Sequence, residues 1–284
     1  MKQKHITIPT ASLFAALVCL LLSACSKEQE MADSQPLVVM AEILSPLTRV
    51  DSPNETPDEH ASDYDKTAFQ NGDEIMVYKS SASSTTAIKY SKSGSYWLLS
   101  EGQTALTTTG SETFTAYFPE SFTTILEDQS SKPKFWQSNK LVSTASAMGN
   151  LVKFKFAPAF AKVTINVEYT TAFSGTPAAS VDGNGILSGS TSQQINLLFV
   201  GNEGNKYNYT GIINSGINIA LKITVPGQDG GTKSYTDNSR LFEAGKNYIY
   251  NFTSSNGLIL NGVSVKDFTE ISEGDGVNGD WSAT

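Results

Sequence analysis

Cysteine, histidine and arginine are each present only twice in this chain of 284 residues, and each scarcity excludes a class of chemistry. Cys19 and Cys25 both lie near the start, which leaves the body without a disulfide framework, a thiol nucleophile or a thiolate metal site. The histidines are His5, beside the N-terminal apolar run, and His60, in an acidic proline-bearing stretch. A Ser-His-Asp triad or a histidine metal centre would have only His60 to draw on, so most hydrolase mechanisms are disfavoured, except those built from carboxylates alone. Charge is also sparse, at 17% charged residues and a net −8. An acidic chain without a basic run has nothing to hold a phosphate backbone, so nucleic acid is not an expected partner. No convincing helical period runs through the body, while small polar residues are plentiful, as in an extracellular β-protein.

The first residues are organised for export. Lys2 and Lys4 precede an almost wholly apolar run over residues 11–22, too short and wrongly flanked for a spanning helix, and Leu22-Ser23-Ala24-Cys25 follows. The ending LSAC resembles a bacterial lipobox. That resemblance implies a signal peptide over residues 1–24 and a diacylated, N-acylated Cys25 as the first mature residue; the alternative is a soluble exported protein. Buried acyl chains contribute ~0.8 kcal/mol per methylene, so several of them hold a protein on a membrane firmly. Removing Lys2 and Lys4 takes the formal charge from −8 to −10. The charged tract at residues 26–30, SKEQE, is either a solvated tether or similar to the short export signals of surface lipoproteins in Bacteroidetes.

Residues 36–50, PLVVMAEILSPLTRV, form the most apolar stretch after the signal. In an extended chain Leu37, Val39, Ala41 and Ile43 share one side, and Val38, Met40 and Leu44 share the other, interrupted by Glu42. A strand apolar on both faces is expected inside a sandwich. Burial of ~500 to 700 Å² of apolar surface would be worth on the order of 12 to 17 kcal/mol before ordering costs of ~1 to 2 kcal/mol per residue. Residues 51–63, DSPNETPDEHASD, follow as a solvated linker that a protease can reach. Arg49 stands at the junction, either as a solvated linker residue or as a processing site that would make Val50 the new first residue. Lys66 and Lys79 are further sites for a less selective protease.

The body reads as all-β in two domains. Asn71-Gly72 supplies a tight turn before a strand with Ile75 and Val77 on one face and Met76 and Tyr78 on the other. Further short strands follow, and residues 128–134 read as a polar loop. Small residues at 143–150 precede two half-buried patterns, Phe154 and Phe156 among lysines and then Val163, Ile165 and Val167, joined by a bend at Pro158. The expected organisation is a signal peptide at 1–24, a lipidated propeptide with an exchangeable strand at 25–49, a linker at 50–68, an N-terminal β-sandwich at 69–150 and a C-terminal β-sandwich with a flexible tail at 151–284.

Four stretches carry a resemblance: FQNGDEIMVY at 69–78, FTAYFP at 114–119, the strands of residues 156–167, and FEAGKNYIYNF at 242–252. In this order they resemble the fimbrillin family, the type V pilus subunits of Bacteroidales. Pro158 and Phe268 depart from the histidine and tryptophan common there. The resemblance implies two transthyretin-like β-sandwich domains in tandem, export as a lipoprotein to the outer membrane, maturation by an arginine-specific surface protease, and polymerisation with other fimbrial subunits by strand exchange. On it, Arg49 is the processing site and residues 37–44 are the strand that leaves, opening an apolar groove with two strand edges. Val263, Val265, Phe268 and Ile271 are the candidate donor region.

The other candidates have plainer readings. Asp73-Glu74 belongs to a turn, since neighbours on a strand point to opposite faces. Tyr96-Trp97 and Trp136 serve either packing or sugar stacking, with packing favoured. Asp275, Asn278 and Asp280 lack EF-hand spacing. The expectation is a structural and adhesive fimbrial subunit with no catalytic activity, no metal and no cofactor, able to meet a host or bacterial receptor. The alternative is a monomeric surface lipoprotein that binds glycans.

Overall fold

Alternation of large apolar side chains with polar ones sets which face of each strand turns inward. The computed structural model describes residues 34–44, 68–81, 86–173, 175, 177–187 and 192–267. The first strands are β1 (Gln35–Pro36), β2 (Val38–Ile43), β3 (Glu74–Lys79), β4 (Ile88–Ser93), β5 (Tyr96–Leu99), β6 (Thr107–Thr108), β7 (Thr113–Phe118), β8 (Leu141–Ser146) and β9 (Leu151–Pro158). Gly72 takes the turn before β3 with φ 87°, a value that suits glycine. Beside it, Asn71 Oδ1 accepts the backbone N–H of Gly94 at 2.7 Å and ties this turn to the one between β4 and β5.

Seven of these strands hydrogen-bond in the order β2, β5, β4, β3, β7, β8, β9, and the ring closes from β9 back to β2. The β2–β9 pair is parallel, and the other neighbours are antiparallel. The first unit is therefore a seven-stranded sheet closed on itself. Its core is built from Ile75, Val77, Tyr90, Trp97, Phe114, Val152, Phe154 and Phe156, so the alternation read for β3 and β9 holds. The boundary expected before Leu151 moves, because β9 is a wall of this barrel; the chain changes sheets at the bend between Pro158 and Ala161.

The second unit contains β10 (Ala161–Tyr169), β11 (Ser180–Asn184), β12 (Ser192–Asn196), β13 (Leu198–Glu203), β14 (Lys206–Ile213), β15 (Ile217–Ile219), β16 (Lys222–Pro226), β17 (Thr232–Thr236), β18 (Arg240–Phe242), β19 (Lys246–Ser254) and β20 (Leu258–Asp267). One sheet runs β13-β14-β10-β19-β20 and another β12-β11-β16-β17, with β15 and β18 paired beside them. Val163, Ile165 and Val167 of β10 share one apolar cluster with Val181 of β11 and Ile223 and Val225 of β16. The core thus lies between two sheets. Polar residues on β10 pair sideways: Thr164 Oγ1 donates to Asn247 Oδ1, and the Asn166 amide donates to Asn251 Oδ1, both at 2.9 Å.

The connection between β7 and β8 belongs to both units. Residues 128–134, expected to be a loop, instead lead into helix α1 (Lys132–Ser138), whose proline sits in the first turn where no N–H is missed. Seven residues are too few to show a period in sequence. Phe135 of α1 and Ile125 before it are buried in the core of the second unit. Gln129 has no exposed surface; its amide donates to Ile212 O at 2.8 Å and accepts Ile212 N–H at 2.7 Å, acting as a strand residue beside β14.

Candidate strand-exchange site

β2 lies against two unequal walls. Along β9 it pairs at six positions, from Val38↔Leu151 to Ile43↔Phe156, and the ladder is extended by Val38 N–H to Asn150 O at 2.7 Å and Leu44 N–H to Phe156 O at 2.8 Å. Along β5 a single position pairs, Val39↔Trp97. Beyond it the Trp97 indole N–H takes over and reaches Ala41 O at 3.4 Å, a long bond in place of a ladder bond.

The entry of β2 is fixed by Leu37 N–H to Leu106 O at 2.8 Å and by β1, which pairs with β6. The turn after β6 is held by Glu112. Its carboxylate accepts the Thr108 hydroxyl at 2.6 Å, the Thr109 N–H and hydroxyl, and the Lys79 ammonium at 2.9 Å. These bonds, the one from Thr108 foremost, hold it well below the usual carboxylate range.

Leu37, Val39 and Ile43 face the barrel interior and are buried, whereas Val38, Met40 and Leu44 are 44 to 48% exposed. The expectation of a strand sealed on both faces is corrected: a barrel strand has one inner face, and no described element covers the outer one. Full burial of three such side chains is worth on the order of 5 to 9 kcal/mol, about half the two-faced figure. Glu42 and Lys155 approach at 3.8 Å, but both are about two-thirds exposed and the pair contributes little.

Phe69, the first residue after the linker, completes this seat, a role that the sequence does not announce. Its ring meets Trp97, Phe118 and Phe156 edge-on, with centroids 5.1, 5.5 and 5.2 Å away. The signal for it is the aromatic that opens FQNGDEIMVY. Trp97 packs, as favoured, at 6% exposed, while its neighbour Tyr96 is 72% exposed. The two therefore make no common sugar platform. Asp73 accepts the Gln70 N–H, and Glu74 bonds Lys89 and Ser91, which places this pair in turn and sheet structure.

Val263 and Val265 of the candidate donor region lie in β20, paired with Tyr250 and Tyr248 of β19 in a ladder that shifts register once, at Asn261. β20 is the edge of its sheet. Phe268 and Ile271, like the lipidation residue Cys25 and the processing residues Arg49 and Val50, lie outside the described residues, as do Asp275, Asn278 and Asp280. The other arginine, Arg240, forms an ion pair with the buried Asp237 at 2.6 Å and lies over the Tyr250 ring at 5.6 Å. Tyr250 donates its hydroxyl to the same carboxylate at 2.8 Å, and burial pushes its titration far up.

No family model and no curated protein matches this chain. Solved structures do. A candidate cell adhesion protein from Bacteroides uniformis shares the fold with a TM-score of 0.56 at 20% identity, over 83% of this chain and 99% of that one. Another from Bacteroides ovatus has a TM-score of 0.56 at 14% identity, over 83% and 98%. A fimbrial anchor protein from Porphyromonas gingivalis aligns over 82% of this chain and 98% of its own at 7% identity, with a TM-score of 0.38, too low to argue from. The fold is that of these two Bacteroides proteins.

Proposed function

We propose that this chain is a structural and adhesive subunit of a cell-surface fimbria, exported to the outer membrane as a lipoprotein on Cys25 and matured by an arginine-specific protease that cuts after Arg49. Assembly then proceeds by β-strand exchange: β2 leaves the barrel and a strand of another subunit, of the same or a different kind, takes its place. The barrel and the two-sheet unit are in this reading two transthyretin-like sandwiches in tandem. The observation that carries it is the seat of β2, which completes the barrel yet is joined to β5 at one paired position. Its removal uncovers one side of β9 and of β5 and the core beneath, a template for a replacement strand. Val263 and Val265 would have to leave their ladder with β19 to act as a donor strand. No catalytic step is assigned, and a host or bacterial receptor is the remaining partner.

The burial of Trp97 weakens the monomeric glycan-binding alternative at the Tyr96-Trp97 pair, while Trp136 on α1 stands 42% exposed and stays its remaining aromatic. N-terminal sequencing of protein shed from its native surface tests the proposal. A start at Val50 is expected. An acylated Cys25 on all mature material would sink cleavage-driven assembly and return the anchored monomer to first place.

A further inference from the structure

Exposed apolar side chains concentrate on the outer face of β2 and β5. Val38 and Met40 are 48 and 45% exposed, and Tyr96 and Leu98 are 72 and 54% exposed. The antiparallel register about Val39↔Trp97 sets Val38 beside Leu98 and Met40 beside Tyr96, so the four make one patch, with Leu44 at its end. On the other side of β2 the register with β9 brings Lys153 next to Met40 and Lys155 next to Glu42, both exposed.

We propose that this face is a membrane-contact surface, which lies against anionic phospholipid while the precursor is tethered. The inference rests on the reading of Cys25 as the lipidated residue. Three observations select a bilayer as the occupant. The patch is five partly exposed apolar side chains on the outside of a barrel, against roughly 20 to 30 residues a side in a stable protein interface. A bilayer accommodates a convex surface and suits a tyrosine with an apolar body and a polar tip. Next, Lys153 and Lys155 outnumber Glu42 on this face by one charge, in a chain that is net acidic, which suits an anionic headgroup locally. Finally, nine peptide steps separate Cys25 from Ser34, the first described residue and four before Val38, so the tether spans at most about 32 Å. An acyl anchor and an apolar face together give the two signals that stable membrane association requires. One cut after Arg49, followed by exit of β2, would remove both the acyl chains and the β2 half of the face, leaving Tyr96 and Leu98.

The test is flotation of the mature chain, residues 25–284 with Cys25→Ala, on vesicles of phosphatidylcholine with phosphatidylglycerol. Measurable partition, weaker than that of the acylated chain, is expected, reduced about tenfold by Tyr96→Ser with Leu98→Ser at unchanged melting temperature, and similarly by Val38→Thr with Met40→Thr. Absence of partition, or partition indifferent to both pairs of substitutions, overturns the proposal. So does concentration-dependent self-association that either pair abolishes, which would give the face to a second copy. Mass analysis of the wild-type N-terminus separates the two readings: an acylated chain whose Cys25→Ala form ignores vesicles sinks this inference alone, and an unacylated native chain sinks the tether.

Discussion

Leu44 donates its backbone N–H to the carbonyl of Phe156 at 2.8 Å, at the last described position before the linker. Across the linker, Phe69 sets its ring on the ring of the same residue at 5.2 Å. Both ends of the proposed processing segment are thus held at one point of β9, independently of the peptide bond that a protease would cut. Cleavage after Arg49 is therefore expected to leave residues 25–49 bound to the body. Mass spectrometry after native gel filtration should find the fragment in equal amount with residues 50–284, and denaturant should free it. Loss of the fragment in native buffer would show that the β9 ladder alone does not retain the strand.

The β5 side of the seat is the weaker one, and Trp97 is its main contact. Trp97→Phe keeps an aromatic in the core but leaves Ala41 O without its long bond from the indole. We predict a modest destabilisation, about 0.5 to 1.5 kcal/mol. Exchange of β2 with an added synthetic strand should accelerate, while amide exchange in the second unit stays unchanged. Equal loss of protection in both units would assign Trp97 a global role instead.

Arg240 is clamped between Asp237 and Tyr250, so an arginine-specific protease acting on the folded chain should cut after Arg49 and spare Arg240. Asp237→Ala leaves the Arg240 side chain and the Tyr250 hydroxyl without their carboxylate, and a second cut should then appear on gels. An early cut after Arg240 in the wild-type protein would contradict the clamp.

Glu112 gives the seat of β1 a dependence on acid. Its folded-state titration lies below the ordinary value of 4.5, so its contribution is complete above pH 4.5 and is lost as pH falls from there through the lower folded value. Glu112→Gln should be less stable than wild type at neutral pH, and the difference should narrow on acidification below 4.5. Melting curves across that window check this; a difference that widens with acid would reverse the assigned sign.

The strand patterns are legible where one face is wet. In β9, buried Phe154 and Phe156 alternate with exposed Lys153 and Lys155, and the sequence displays that directly. β2 is located correctly by its apolar run but not its two faces, because apolar residues on the outside of a barrel read the same as residues between sheets. Closure is not legible, since the pairing of β2 with β9 joins residues over a hundred positions apart and depends on no local signal. The same holds for Gln129, a polar side chain in a polar stretch, whose burial follows from the two backbone groups of Ile212 that it satisfies.

The two walls around β2 also bear on the polarity of a growing filament. β9 takes its neighbour parallel and β5 takes it antiparallel, so an incoming strand of either direction meets one wall of each kind. Backbone bonding then expresses little preference for heading. The pockets do: they run large, large, small, large from Leu37 through Val39 and Ala41 to Ile43, and read backwards the small one moves to the second place. On the proposed strand exchange, a strand entered in reverse would put a bulky side chain at the place of Ala41, whose carbonyl takes the Trp97 indole N–H, so the position of one alanine would set the heading of the incoming strand.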